Sequence, residues 1–197
     1  MRASILLLAA LALPLSAGPK DAGFTDSFHS PTMANRRLER GDWRVANGVA
    51  RVSQDDALYK KYKNHGPIVF YDLPMQDVRV RFEVKLEDAK RFVFTFNGNG
   101  GHVFRLLQNP DNSALLAFED KDGKHSPLRL DTSAPHVDNG EWIPYSIEIQ
   151  GETAKVSIGD AYRKSVRHPS LAAPKTNLSL SFHYGELEVR NLHVEPL

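Results

Sequence analysis

The sequence predicts an all-β chain folded as a two-sheet antiparallel sandwich of the jelly-roll type, and three observations lead there. Apolar and polar residues alternate with a period of two along most of the chain, the pattern of strands with one buried face. Between the alternating stretches stand turn-forming residues, Asn47-Gly48, Asn97-Gly98, Asp122-Gly123, Asn139-Gly140, Gly151 and Gly159-Asp160, which accept the positive φ of tight hairpins. A helical period of 3.6 is missing throughout; Met33 to Arg40 is the best candidate, short and highly charged, and at most one helical turn is expected there.

Taken in order, strands are expected at Trp43 to Val52 and at His65 to Tyr71. Val78 to Leu86 is the most regular: Val78, Val80, Phe82, Val84 and Leu86 alternate with Arg79, Arg81, Glu83 and Lys85, so one face is buried and the other charged. Arg91 to Phe96, His102 to Gln108 and Ala114 to Glu119 follow, then Trp142 to Gln150, Ala154 to Ile158 and Ala161 to Val166. Pro169 to Thr176 reads as a loop because of its two prolines, and Leu178 to Phe182 and Leu187 to Glu195 close the series. Eleven strands without a cysteine exceed the seven of a minimal immunoglobulin sandwich and suit a two-sheet jelly roll. Sequential strands are expected to pair mostly as antiparallel neighbours.

Arg2, the apolar run Ile5 to Leu13, and the small-residue exit at Pro14, Ser16 and Ala17 read as a secretory signal peptide cut after Ala17. Residues 1–17 are then the signal and 18–197 a single domain, exported to the periplasm or outside the cell. The apolar run is shorter than the roughly 20 residues that cross a bilayer, and with no cysteine at the cut no lipid anchor is expected. Loss of Arg2 takes the basic count from 25 to 24, against 24 acidic residues, so the mature chain is formally neutral. Nucleic acid and membrane are poor partners for it, and a monomer is expected. The eight histidines lack His-x-x-x-His and His-Glu-x-x-His spacing, so no metal is expected; nucleotide-binding loops and nucleophile elbows are missing too, so no cofactor is expected.

Four segments in order resemble one family: Gly41-Asp42-Trp43-Arg44-Val45-Ala46-Asn47-Gly48-Val49, Asp77-Val78-Arg79-Val80-Arg81-Phe82-Glu83-Val84-Lys85, Asn139-Gly140-Glu141-Trp142 and Leu187-Glu188-Val189-Arg190-Asn191-Leu192. Together they look like the 3-keto-disaccharide hydrolase domain, a relative of the concanavalin A-like lectins and glucanases. Trp43 and Trp142 begin strands and are expected as core anchors, and Asn191 can bond across a sheet edge. The resemblance implies a concanavalin A-like jelly roll with a carbohydrate ligand in its concave face, and hydrolysis of a glycan or (3-keto-)disaccharide. The alternative is a non-catalytic glycan-binding or adhesion module on the same sandwich.

The Glu-x-Asp-x-x-Glu of the related glucanases is missing. Its nearest substitute is Glu186 with Glu188, which share a strand face at roughly 6 to 7 Å, between the spacings of retaining and inverting glycosidases. A solvated strand face explains the same pair. Arg81, Glu83 and Lys85 are expected beside Arg105 or His102 if the neighbouring strands pair, lining the main cleft; a cross-strand ion-pair ladder is the plainer account. His102 follows the Asn97 to Gly101 loop and His183 precedes Tyr184-Gly185, so both imidazoles sit at strand ends, as general base or sugar ligand, or simply as polar surface. Catalytic candidates are therefore Glu83, His102, Glu186 and Glu188, and substrate-binding candidates Arg81, Lys85, Arg105, His183 and Tyr184, the last an aromatic at the rim. Glu119 to Gly123 has the oxygen-rich look of a calcium loop but lacks the distal ligands, and reads as a hairpin tip.

Overall fold

The alternation becomes fifteen strands among residues 23–197, the part of the chain that a computed structural model describes; the expected signal segment and its cleavage point lie outside the described residues. The strands are β1 (Phe24–Asp26), β2 (Arg36–Glu39), β3 (Arg44–Ala46), β4 (Val49–Ser53), β5 (Ile68–Met75), β6 (Val78–Glu87), β7 (Arg91–Gly98), β8 (Gly101–Gln108), β9 (Ala114–Lys121), β10 (Lys124–Asp131), β11 (Ile143–Gln150), β12 (Thr153–Ile158), β13 (Tyr162–Arg167), β14 (Lys175–His183) and β15 (Glu186–Pro196). One short helix, α1 (Asp56–Lys61), and a 3-10 turn at Pro169–Ala172 accompany them. All the pairings are antiparallel.

Two sheets form the sandwich. The eight-stranded sheet runs β13-β12-β11-β6-β15-β4-β3 with β1 also on β15, and the seven-stranded sheet runs β10-β9-β8-β7-β14-β5-β2. Val78, Val80, Phe82, Val84 and Leu86 point inward, as their period requires, and meet Phe92, Phe94, Phe96, Leu178, Leu180 and Phe182 of the other sheet in one core. Phe82 stacks on Tyr145 of its own sheet at 5.1 Å and on Phe94 of the facing sheet at 5.7 Å. The chain changes sheet at the β6–β7 turn and again at the β14–β15 turn, among other crossings. Gly185 in the β14–β15 turn (φ +64°) lies so close to the β6–β7 turn that a Cβ there would stand 1.9 Å from the Glu87 carbonyl oxygen, so only glycine fits.

Several expectations change. Met33 to Arg40 holds strand β2 instead of a helical turn, because its inward position is filled by Arg36, which a count of apolar residues does not register. Arg36 is buried against Asp26, which it meets through Nη1 at 2.6 Å; Tyr71 also donates to Asp26, at 2.8 Å. The helix forms instead at α1, where the Asp55 side chain accepts from the Leu58 N–H at 2.9 Å and caps the first turn. Trp43 to Val52 folds back at Asn47-Gly48 into two strands. Lys124–Asp131, not read as a strand, pairs with β9 across the Asp122-Gly123 turn as a sheet edge; Pro127 is tolerated there because no strand takes its other side. Trp142 is no core anchor: it lies on the outer face of the eight-stranded sheet with the Arg190 guanidinium 4.1 Å above its ring. Among the described residues no helix is long and apolar enough to cross a membrane, and no group of three or more His, Asp or Glu is placed to hold a metal ion.

Candidate functional site

The expected neighbours Arg81, Glu83, His102 and Arg105 do not share a cleft. β6 is flanked by β11 and β15 in one sheet and β8 by β7 and β9 in the other, so the two pairs stand on opposite outer faces of the sandwich. Alternation fixes which residues of a strand share a face; it carries no information on which strand lies beside it.

On the eight-stranded sheet the charged face of β6 is an ion-pair ladder. Arg79 donates to Glu148 through Nε (2.8 Å) and Nη2 (2.6 Å), Arg81 pairs with Glu195 at 2.6 Å, and Lys85 with Glu87 at 3.0 Å. Arg190 donates to Glu83 twice, at 2.9 and 2.6 Å, and Asn191 adds a third bond at 2.7 Å from a β-bulge where its φ is +53°. Burial works to raise the Glu83 carboxyl, but these bonds outweigh it and hold the group below the ordinary glutamate value. It is therefore a committed carboxylate, the opposite of what a general acid requires. Glu188 is taken by Arg51 and Glu186 accepts from Ser53 at 2.8 Å. A depression of about 560 Å³ does lie on this face, lined by Arg81, Glu83, Ser146, Asn191 and His193, but Arg81 and Glu83 are already engaged within the protein.

The outer face of the seven-stranded sheet is built differently. Its register places Arg129, Leu116, Arg105, Thr95, Ser179, Phe70 and Arg37 in one row across all seven strands. A second row holds His102, Asn97, Asn177 and Asp72. The central strands β7 and β14 contribute short side chains (Thr95, Asn177, Ser179, Ser181) while β8 and β5 contribute long ones (His102, Arg105, Phe70). A groove of about 390 Å³ results, walled further by Arg40, His65 and His183.

His102 reaches this face through a bulge. Phe96 faces Phe104, but the next pair is Asn97 with His102, so Val103 is the extra residue and His102 turns to the side of Arg105, three positions on, where strict alternation would put it on the opposite face. A chain of hydrogen bonds follows. Arg105 donates from Nε to Thr95 Oγ1 (3.2 Å) and from Nη2 to His102 Nε2 (2.7 Å). With Nε2 accepting, His102 donates from Nδ1 to Asn97 Oδ1 (2.6 Å), and Asn97 Nδ2 donates to Asn177 Oδ1 (2.7 Å). Burial, aided by Arg105 and His125, lowers His102 to about 4, which keeps it in the neutral form that this chain needs. His183 is likewise lowered to about 4, by burial and then by Arg91 and His65, and Tyr59 of α1 stands 3.3 Å from its Nδ1.

The groove thus gathers three of the sequence candidates, His102, Arg105 and His183; Tyr184, 44% exposed, stands beyond its His183 end beside Lys90 and Arg91. Arg81, Glu83, Lys85, Glu186 and Glu188 remain on strands of the other sheet. Thr95, Asn97, Asn177, Ser179 and Phe70 were missed as groove residues. A signal existed for β14, where Asn177, Ser179, Ser181 and His183 alternate with Leu178, Leu180 and Phe182, one face small and polar, the other apolar. None of the groove-lining residues is an Asp or Glu.

Comparison with solved structures finds the same sandwich repeatedly. A carbohydrate-binding module of Bacillus subtilis is 12% identical, with a TM-score of 0.58 over 83% of this chain and 96% of that one. A LamA variant of Zobellia galactanivorans, in complex with laminaritriose and laminaritetraose, is 11% identical, with a TM-score of 0.61 over 87% and 97%. The kappa-carrageenase of Pseudoalteromonas carrageenovora, bound to an oligotetrasaccharide of kappa-carrageenan, is 10% identical, with a TM-score of 0.59 over 93% and 98%. At such identities the shared property is the concanavalin A-like jelly-roll fold. No family model matches the sequence, the 3-keto-disaccharide hydrolase domain included, and no relative is found among curated proteins.

Proposed function

We propose that the protein is a glycan-binding module whose site is the groove on the seven-stranded sheet. The observation that carries this reading is the groove's composition: a floor of hydroxyl and amide side chains, an arginine held in place by neutral partners, a half-buried aromatic ring at Phe70, and no lining carboxylate. Sugar hydroxyls both donate and accept, and Asn, Ser and Thr match them at little desolvation cost. The solved sandwiches that resemble this chain include a carbohydrate-binding module and complexes with oligosaccharides, which supports a sugar over other small ligands. Binding is favoured over hydrolysis because the groove is lined by no carboxylate, and the candidate carboxylates Glu83, Glu186 and Glu188 lie on the far face, where each is bonded within the protein. Export by the N-terminal segment would place the module where polysaccharides are met.

Ser179→Phe fills the groove floor from a position that faces away from the core. A glycan array identifies ligands; the variant is expected to lose at least tenfold in affinity for them with its Tm within a few degrees of the parent, and product analysis is expected to show no cleavage. Normal binding by Ser179→Phe together with lost binding or turnover in Arg81→Gln or Glu83→Gln would move the site to the other sheet.

A further inference from the structure

On the eight-stranded sheet the cations along β6 meet carboxylates: Arg79 has Glu148, Arg81 has Glu195 and Lys85 has Glu87. The groove breaks that rule. Arg105 is half-buried on its β8 wall, 5.5 Å over the Phe118 ring, and its partners are a hydroxyl and a neutral imidazole. Its Nη1 makes no hydrogen bond among the described residues. Arg40 lines the same groove and Arg91 stands at its His183 end; among the described residues neither forms a salt bridge, Arg91 donating from Nε to Asn109 at 2.7 Å. Asp72 and Glu39, acids of β5 and β2 in this sheet, are both held by Arg37 at the β2 edge.

A guanidinium withdrawn from water without a counter-charge sits in an unfavourable place that an anion relieves. The direction of its proton affinity agrees: burial, and then Arg91, lower the Arg105 value. Neutral acceptors hold two of its nitrogens and leave Nη1 and one Nη2 hydrogen without an acceptor among the described residues, donors that suit paired oxygens. We propose that the glycan bound in this groove is acidic, carrying a ring carboxylate or a sulfate ester whose oxygens seat on Arg105, with Arg40 in the same groove and Arg91 at its His183 end adding positive charge. The inference rests on the groove being the glycan site and adds the class of sugar.

Isothermal titration at low salt with four probes tests it: tetragalacturonate, its fully methyl-esterified form, a kappa-carrageenan tetrasaccharide and neutral laminaritetraose. A charge-assisted bond to a partly buried arginine corresponds to about 10- to 100-fold in affinity. An acidic probe is therefore expected to bind that much more tightly than the neutral ones, with the preference shrinking as salt rises. Arg105→Gln should abolish the preference, Arg105→Lys should keep part of it, and Arg91→Gln should reduce it; Arg167→Gln, at the far edge of the other sheet, should leave it intact. Preference for tetragalacturonate identifies a carboxylate, and preference for the carrageenan probe a sulfate. Equal affinity for tetragalacturonate and its ester, with no advantage for the sulfated probe, would overturn the acidic assignment while leaving the glycan groove standing. Retained preference in a folded Arg105→Gln would do the same. Failure of all four probes to bind would overturn the groove reading along with it.

Discussion

Asp26 accepts three hydrogen bonds in the core, from Arg36, Tyr71 and the Phe28 N–H, and Arg36 also donates to the Ser30 carbonyl at 2.7 Å. The Arg36 side chain is 1% exposed, so its charge depends on Asp26 for compensation. Asp26→Ala is expected to cost about 3 to 5 kcal/mol in urea melts, the usual penalty for leaving a buried charge alone. A loss below about 1 kcal/mol would mean that water reaches Arg36. At this scale the sequence was only partly legible. Arg105, His102 and His183 stood out because ionisable side chains are chemically distinct, whereas Ser179 and Thr95 looked like ordinary strand residues, and only their place between longer side chains makes them a groove floor.

Strand β6 shows what periodicity secures. Phe82 is buried between Tyr145 and Phe94, while Lys85 stands outward in an ion pair. Phe82→Ala should therefore cost about 3 to 5 kcal/mol and Lys85→Ala only a few tenths, compared by denaturant unfolding. Equal losses would require the opposite register. The same logic missed β2, where an inward residue is charged, and β10, whose edge position leaves most of its residues exposed and its alternation weak. It also mistook Trp142, because a large ring can be covered by a stacked arginine as well as by a core.

For the whole molecule, the two lowered histidines couple folding to acidity. His102 and His183 lie near 4 in the folded protein against an ordinary 6.5, so the unfolded chain binds more protons between those values. Their contribution is intact above about pH 6.5 and is lost as pH falls toward 4, on the order of 2 kcal/mol for the pair once solvent screening of half-buried groups is allowed for. Melts at stepped pH should show this slope, flattened in the double variant His102→Gln/His183→Gln; an unchanged slope would assign it to other groups. The all-β class, the jelly-roll sandwich, the faces of β6 and the strand ends holding His102 and His183 were determined by the sequence itself, because they follow from local alternation and turn chemistry. Only the tertiary structure decided which strands became neighbours, and therefore that Arg81 and Glu83 face away from His102 and Arg105. It also decided, through a one-residue bulge at Val103, that His102 and Arg105 share a face. Pairing and bulges depend on contacts between residues far apart in the chain, which a period of two along one strand does not encode.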